Sequence, residues 1–345
     1  RGKADMKVRR HRVFRKRLLE DTVEPDSSTF GTVLFNEICQ DPKLPKSSNV
    51  LFSPLSVYQA LALAKDGATI GSDNENELKQ LLGPDDIQNE YLSLQEQASG
   101  DADPDSDVQL TMATSIWADE LKQEYIDMAK DKYSAGAFPL PSRWTPVDDW
   151  IRNKTNGMIP NFMGDKPLHP FIIALLVNAV YFKGIWTNKF NVSDTTNGTF
   201  FLRNNMPYGN LDKPPSETST VVNAVEARFM NAHGGMKVIK NSVALGGASA
   251  VVLDYGELVP EQDAEYQSIF ILPASNSVDS MNDVITGLQS RPITELFDEA
   301  WPTDTILKLP RFRLKFGLDA GPIDLTPMLQ RMNMTTAFNP DILDK

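Results

Sequence analysis

The sequence predicts an α+β fold, and three observations carry that prediction. Apolar residues at helical spacing crowd the first half of the chain, and alternating apolar residues crowd the second. The strand-like stretches are also too long for small hairpins. Helices early and strands late argue against a βαβ repeat, and no internal repeat is visible.

Phe30, Val33, Leu34 and Ile38 share one helical face, which predicts a first helix near 28–40. Asn49-Val50-Leu51-Phe52 reads as a short strand. Ser53-Pro54 then opens a helix, with Ser as N-cap and Pro at the first helical position, where its missing N–H has no partner to lose. Ser72 with Glu75 forms a capping box, and Gly83-Pro84 stops that helix. An acidic loop spans 101–107, after which Val108, Leu110, Met112, Thr114 and Ile116 alternate along a long strand. Helical patterns follow at about 120–134 and 147–157. The apolar run at 172–182 predicts a central strand buried on both faces. Beyond 200 the strands fall at 221–227, 249–254, 268–272 and 305–316. In the last, the apolar phase switches at Pro310, which predicts a bulge or an edge.

The chain has 345 residues, a length that suits two domains or one large mixed one. Its 23 prolines exclude a coiled coil, and its 41% hydrophobic content excludes a fully disordered protein. A single cysteine, Cys39, excludes an intrachain disulfide and any Cys-based zinc cluster; its place on the apolar side of the first helix predicts an inert thiol. The longest uncharged window, 47–64, contains Asn49, Pro54, Gln59 and several serines, which excludes it as a membrane span. The expectation is a soluble globular protein.

Charge is uneven along the chain. Residues 1–20 hold nine basic side chains against Asp5 and Glu20, a net of +7 that leaves −19 on the rest of a chain whose total is −12. The acidic body repels phosphates, so no sequence-specific nucleic-acid binding is expected. The arm at 1–27 is expected to be disordered or partner-bound, with an acidic protein, a polyanion or a larger protein complex as its partner. It has no apolar core of a secretory signal.

A search for chemistry finds no enzyme. Asp101, Asp103, Asp105 and Asp107 are spaced like the start of an EF-hand loop, but Ser106 replaces the turn glycine and Met112 stands where the bidentate Glu belongs. Motifs for nucleophile elbows, zinc proteases, phosphate loops and dinucleotide binding are absent from the sequence. His233-Gly234-Gly235 reads as a turn, His11 lies in the arm, and His169 sits at a loop-to-strand entry. No cofactor and no metal site are expected. Asn153, Asn191, Asn197 and Asn333 head glycosylation acceptor sequences, roughly as many as chance supplies.

Six segments, in order, resemble one family. Asn49-Val50-Leu51-Phe52-Ser53-Pro54-Leu55-Ser56 is followed by Gly67-Ala68-Thr69 and Leu81-Leu82-Gly83. Trp150-Ile151-Arg152-Asn153-Lys154-Thr155-Asn156-Gly157-Met158-Ile159 comes next. The most specific is Leu176-Val177-Asn178-Ala179-Val180-Tyr181-Phe182-Lys183-Gly184-Ile185-Trp186. Leu307-Lys308-Leu309-Pro310-Arg311-Phe312 and the pair Leu325–Leu329 with Met334–Phe338 complete the series. Together they resemble the serpin superfamily, from about residue 28 onward.

The resemblance implies one serpin-like domain over 28–345, with large mixed or antiparallel sheets and about eight or nine helices around them. It implies an inhibitor, not an enzyme: a serine or cysteine protease attacks an exposed loop, and insertion of the cut loop into the central sheet traps the acyl-enzyme. The alternative is a non-inhibitory serpin serving as a structural subunit, carrier or chaperone in a larger assembly. Asn49, Ser53, Pro54, Ser56 and Asn178 match shutter positions, and Trp186 and Arg311 match breach positions. Family members activated by polyanions carry basic residues on an early helix, whereas Asp85, Asp86 and Glu90 stand here. The family's C-terminal strands, hinge and reactive loop with its P1 residue follow the point where Lys345 ends the sequence. The expectation is an incomplete sequence, with a second chain or a host complex as alternatives. An extracellular or organelle-lumen location is expected, with the cytoplasm as the alternative.

Overall fold

The computed structural model describes residues 27–44, 50–83, 89, 92, 106–201, 224–257, 264, 266–275, 277–290, 293–312 and 324–338. Residues 1–26 of the basic arm, Asn49, Asp85, Asp86, Glu90 and the carboxylates at 101–105 lie outside these residues, while Ser27, expected in the arm, opens the first helix. Of the described residues, eight α-helices and eight strands run α1 (Ser27–Cys39), α2 (Pro54–Gly67), α3 (Asp73–Leu82), β1 (Val108–Ala118), α4 (Gln123–Tyr133), β2 (Gly136–Phe138) and α5 (Thr145–Lys154), then β3 (Ala174–Gly184), β4 (Thr196–Phe201), β5 (Ala224–Ser242), β6 (Ala248–Tyr255), β7 (Tyr266–Leu272), α6 (Val278–Gln289), α7 (Thr294–Glu299), β8 (Trp301–Pro310) and α8 (Thr326–Arg331).

Local signals set most helix ends. Ser53 Oγ accepts the Ser56 N–H at 3.2 Å and Pro54 opens α2. A Ser53→Ala protein is therefore expected to lose about 1 kcal/mol of stability, read from the midpoint of denaturant unfolding. Ser72 Oγ accepts from Glu75 N–H in the same way, but the Glu75 carboxylate turns back to the Gly71 N–H at 2.7 Å instead of to its cap residue. Gly83, at φ 75°, closes α3 with its N–H on Lys79 O.

One expectation fails just before α2. Residues 50–52 are not a strand; Val50 and Phe52 pack against the helical core instead. That core joins Phe30 and Leu34 of α1, Tyr58 and Leu63 of α2, Leu78 of α3 and Met328 of α8. Phe30 meets Tyr58 edge-on, ring centroids 5.6 Å apart, the geometry that ring quadrupoles favour. Tyr125 of α4 donates its hydroxyl to Leu63 O at 2.9 Å; burial and the nearby Asp66 charge push its pKa up to about 12. A side chain at Gly67 would strike this ring at 2.8 Å, so the end of α2 needs glycine where α4 crosses it. Cys39 is half-buried, and burial pushes its thiol up, which makes thiolate chemistry less accessible.

Two sheets divide the strands. The first has the order β2-β1-β3, with β1 parallel to β2 and antiparallel to β3 in unbroken register from Val108↔Gly184 to Ala118↔Ala174. Trp117 stacks on Phe138 at 4.5 Å over Val147 and Ile151 of α5, which seats that helix on the sheet. β3 is not buried on both faces: Ala179 is its one fully buried residue, and its edge away from β1 is unpaired among the described residues.

The second sheet runs β4-β5-β6-β7 with β8 on β5. The 19 residues of β5 pair with β4 at their start, with β8 along the middle and with β6 at the end. His233, Gly234 and Gly235 lie inside this strand, opposite Ile306, Thr305 and Asp304, rather than in a turn. Glycine has no Cβ to oppose the φ of 142° at Gly234, and the long β8 pairing holds it extended. A second core of Leu245, Val284 and Leu296 lies between β5, β6 and the helices α6 and α7. β8 ends at Pro310 and pairs only with β5 among the described residues, in keeping with an edge. The bulge falls elsewhere, between Ile239 and Ser242 of β5.

Candidate functional site

A polar hub lies where α2 meets the first sheet. Asn178 of β3 donates its side-chain amide to Gln59 Oε1 at 2.8 Å and to Thr114 Oγ1 at 2.9 Å. Thr114 is the direct cross-strand partner of Asn178 on β1. Gln59 is 1% exposed and Thr114 3%, so neither group has water as a substitute partner. Asn178 Oδ1 is buried and meets no donor among the described residues. Buried polar atoms are nearly always bonded, and leaving one unpaired costs about 1–3 kcal/mol.

Ser53, Ser56 and Gln59 recur every third residue of α2, which brings the capped start of the helix and the hub onto neighbouring turns. Of the residues expected at the shutter, Asn178 lies in the hub, Ser53, Pro54 and Ser56 lie at the start of α2, and Asn49 is outside the described residues; Gln59 and Thr114 were not among those expected. The available signal was the three-residue spacing from Ser53 for Gln59, and the strand phase it shares with buried Met112 and Ile116 for Thr114.

At the other end of β3 the backbone closes on β6. Trp186 stacks on Tyr255 at 4.1 Å with an interplanar angle of 17°, and Phe182 meets Tyr255 edge-on at 5.1 Å. A side chain at Gly184 would strike Tyr255 at 2.5 Å, so the Lys183-Gly184 step needs glycine for close approach. Thr187 N–H on Asp254 O and Gly256 N–H on Ile185 O tie the segment down at 2.9 Å each. Arg311 stands apart from this cluster: its N–H donates to Arg228 O at 2.7 Å beside the end of the β5–β8 pairing, and its side chain is exposed. No hydrogen bond or ring contact joins Trp186 to Arg311 among the described residues.

Met112, at the position of an EF-hand's last ligand, is buried inside β1 at 4% exposure. Among the described residues no group of three His, Cys, Asp or Glu could hold a metal ion, and no helix is long and apolar enough to cross a membrane. Asn153, Asn191, Asn197 and Asn333 are all exposed.

A three-stranded sheet with a polar hub beneath it and an aromatic lock at its end, beside a second sheet and flanked by helices, defines the class. The model of the family described as serpin (serine protease inhibitor) matches residues 25–344, and the chain belongs to that family. It is 26% identical over 319 residues to Serpin-Z7 of Hordeum vulgare, covering 87% of this chain and 73% of that protein. It is 24% identical over 310 residues to Serpin-Z1B of Triticum aestivum, covering 85% and 70%. Among solved structures, the thermophilic serpin tengpin in its latent state superposes with a TM-score of 0.69 at 22% identity, over 94% of this chain and 79% of tengpin. Reactive-loop-cleaved human thyroxine-binding globulin gives 0.71 at 18% identity, over 91% and 85%.

Proposed function

We propose that this serpin inhibits a serine or cysteine protease by inserting its cut reactive loop into the first sheet and trapping the acyl-enzyme. The supporting observation is the Asn178–Gln59–Thr114 hub, which puts hydrogen bonds instead of interlocked apolar side chains between α2 and the first sheet. A cut loop added to that sheet as a strand gains a row of backbone hydrogen bonds, the physics of strand addition. Asn178 Oδ1 supports the same reading, because this buried acceptor, which meets no donor among the described residues, suits a donor on an incoming strand.

In this proposal Asn49, Ser53, Pro54, Ser56 and Asn178, together with Gln59 and Thr114, form the shutter that must let the sheet part. Hydrogen bonds suit that task better than interlocked apolar side chains, since they can re-form on either side of a slip. Trp186 and Arg311 mark the breach, where entry begins. The hydrolytic chemistry belongs to the target, and the chain supplies bait and spring.

The test is to mix the full-length protein with trypsin, chymotrypsin and papain and to run denaturing gels. A covalent complex that survives denaturation with any of them is expected, together with a raised melting temperature of the cleaved form. Cleavage without complex or thermal gain favours a non-inhibitory carrier or subunit, a role to which the +7 arm is suited.

A further inference from the structure

β5 outruns its neighbour β8. Their pairing ends at Val238↔Trp301, and β5 continues past it to Ser242 and into the turn Val243–Leu245. A groove of about 760 Å³ lies in the step this leaves, between the end of β5, that turn, the end of α7 and the start of β8. Its size is that of ordinary small-molecule sites. Val238, Lys240, Val243, Glu299 and Trp301 are among the residues that line it.

Three of these side chains have a definite arrangement. Trp301 stands directly opposite Val238, so the two share one face of the sheet. Ile239 turns to the other face, into the second core, and Lys240 comes next in the groove. A diagonal neighbour two positions along the partner strand lies about 7–8 Å away, which sets the span from indole to lysine stem. Trp301 is 72% exposed, so a broad aromatic face looks into the groove. Lys240 is exposed and forms no ion pair with the described residues, on a chain of net charge −12. Glu299 lines the same groove and repels any second negative charge.

The wall opposite Trp301 is set in advance. Leu245 is fully buried, and Ala244 O closes on Gly287 of α6, so the turn is packed down on that helix. A rigid wall keeps the ordering cost of binding low.

We propose that this groove binds a mono-anionic aryl-alkanoate, its ring on the Trp301 indole and its carboxylate against the Lys240 ammonium. A short methylene spacer between ring and carboxylate suits the span. Val238 and Val243 supply apolar contact beside the ring, and the lone cation fixes the orientation. The groove shares no residue with the hub or with the Trp186–Tyr255 stack, so this site and the loop-insertion reading stand or fall separately.

The test titrates full-length protein with 2-naphthylacetate by calorimetry. Saturable one-to-one binding is expected, with a dissociation constant of about 0.1–1 mM. Lys240→Gln and Trp301→Ala should each weaken it by roughly tenfold, and Trp301→Phe should keep most of it. 2-Naphthylethanol, which lacks the charge, should bind wild type about tenfold more weakly and be indifferent to Lys240→Gln. 2-Naphthylmalonate, a dianion, should bind more weakly than the monoanion. Both altered side chains are exposed, so the variants should keep wild-type unfolding midpoints; if Trp301→Ala does not fold, Trp301→Phe and Lys240→Gln still decide. No saturable binding to the full-length protein overturns the proposal. Binding that survives both Lys240→Gln and Trp301→Ala lies elsewhere on the surface and overturns it as well.

Discussion

A Gly287→Ala protein is expected to lose about 3 kcal/mol of stability, although the substitution improves helix propensity. Gly287 lies in the third-last position of α6, where alanine by itself would contribute up to about 1 kcal/mol in the favourable direction. The packing decides the sign. A Cβ there would fall on the carbonyl oxygen of Ala244, far inside van der Waals contact, and 3.0 Å from Leu245 Cδ2. The carbonyl belongs to the backbone of the turn at Val243–Leu245 and cannot rotate aside as a side chain would. Leu245 and Leu296 are both 0% exposed, so α6 cannot lift without opening the second core. Denaturant unfolding monitored by tryptophan fluorescence reads the loss. Thr286→Ala, exposed on the same helix, serves as control and should stay within about 0.5 kcal/mol of wild type. Equal midpoints for the two variants would show that the α6 contact yields, and the close-packing account would then be wrong.

The contrast between α2 and the hub shows which parts of the site were legible in the sequence. Ser53, Pro54 and Ser72 act within three residues of themselves, so a linear reading places the caps and both helices. β1 carries its alternation locally and was placed to within two residues. The hub bond spans 119 positions, and nothing near Gln59 marks it as the partner of Asn178. Asn178 itself was found through a family motif, not through its spacing. The failed strand at 50–52 and the misread His233-Gly234-Gly235 have one cause. A strand is a pairing with a distant partner: 50–52 has none among the described residues, and β8 supplies one for the glycines. The apolar run of β3 was likewise read as buried on both faces, because hydrophobicity reports what a strand can bury, not what covers it.

The entry to β3 depends on one carboxylate, and its removal is expected to cost about 2–4 kcal/mol. Asp148, in the first turn of α5, is 5% exposed and meets three successive backbone donors of the loop that leads to the strand. Phe162 and Met163 N–H donate to Oδ1 at 3.2 and 3.0 Å, and Gly164 N–H donates to Oδ2 at 2.7 Å. The helix N-terminus offers further favourable potential, which lets a buried carboxylate sit here without a cation. Outside this cage the loop is held by the exposed Arg143–Asp165 pair, worth far less in water, by the Thr145 hydroxyl on the same carboxylate, and by two backbone bonds, Trp144 N–H on Lys166 O and Leu168 N–H on Ser142 O. Asp148→Ala leaves three amides without an acceptor, and Asp148→Asn keeps an oxygen for two of them but turns an NH₂ toward Gly164 N–H. The expected order of stability is wild type, Asn, Ala, with about 1–2 kcal/mol lost at the first step. Amide exchange at residues 162–164 should accelerate in that order, ahead of any change in the α1–α3 core. If the inhibitor reading holds, the loosened loop lets β3 shift more easily against its neighbours, and Asp148→Ala should pass to an inserted, inactive form faster than wild type on warming. Acceleration of exchange throughout the molecule, instead of at the loop, would mean that Asp148 supports the fold as a whole and has no particular hold on the entry to β3.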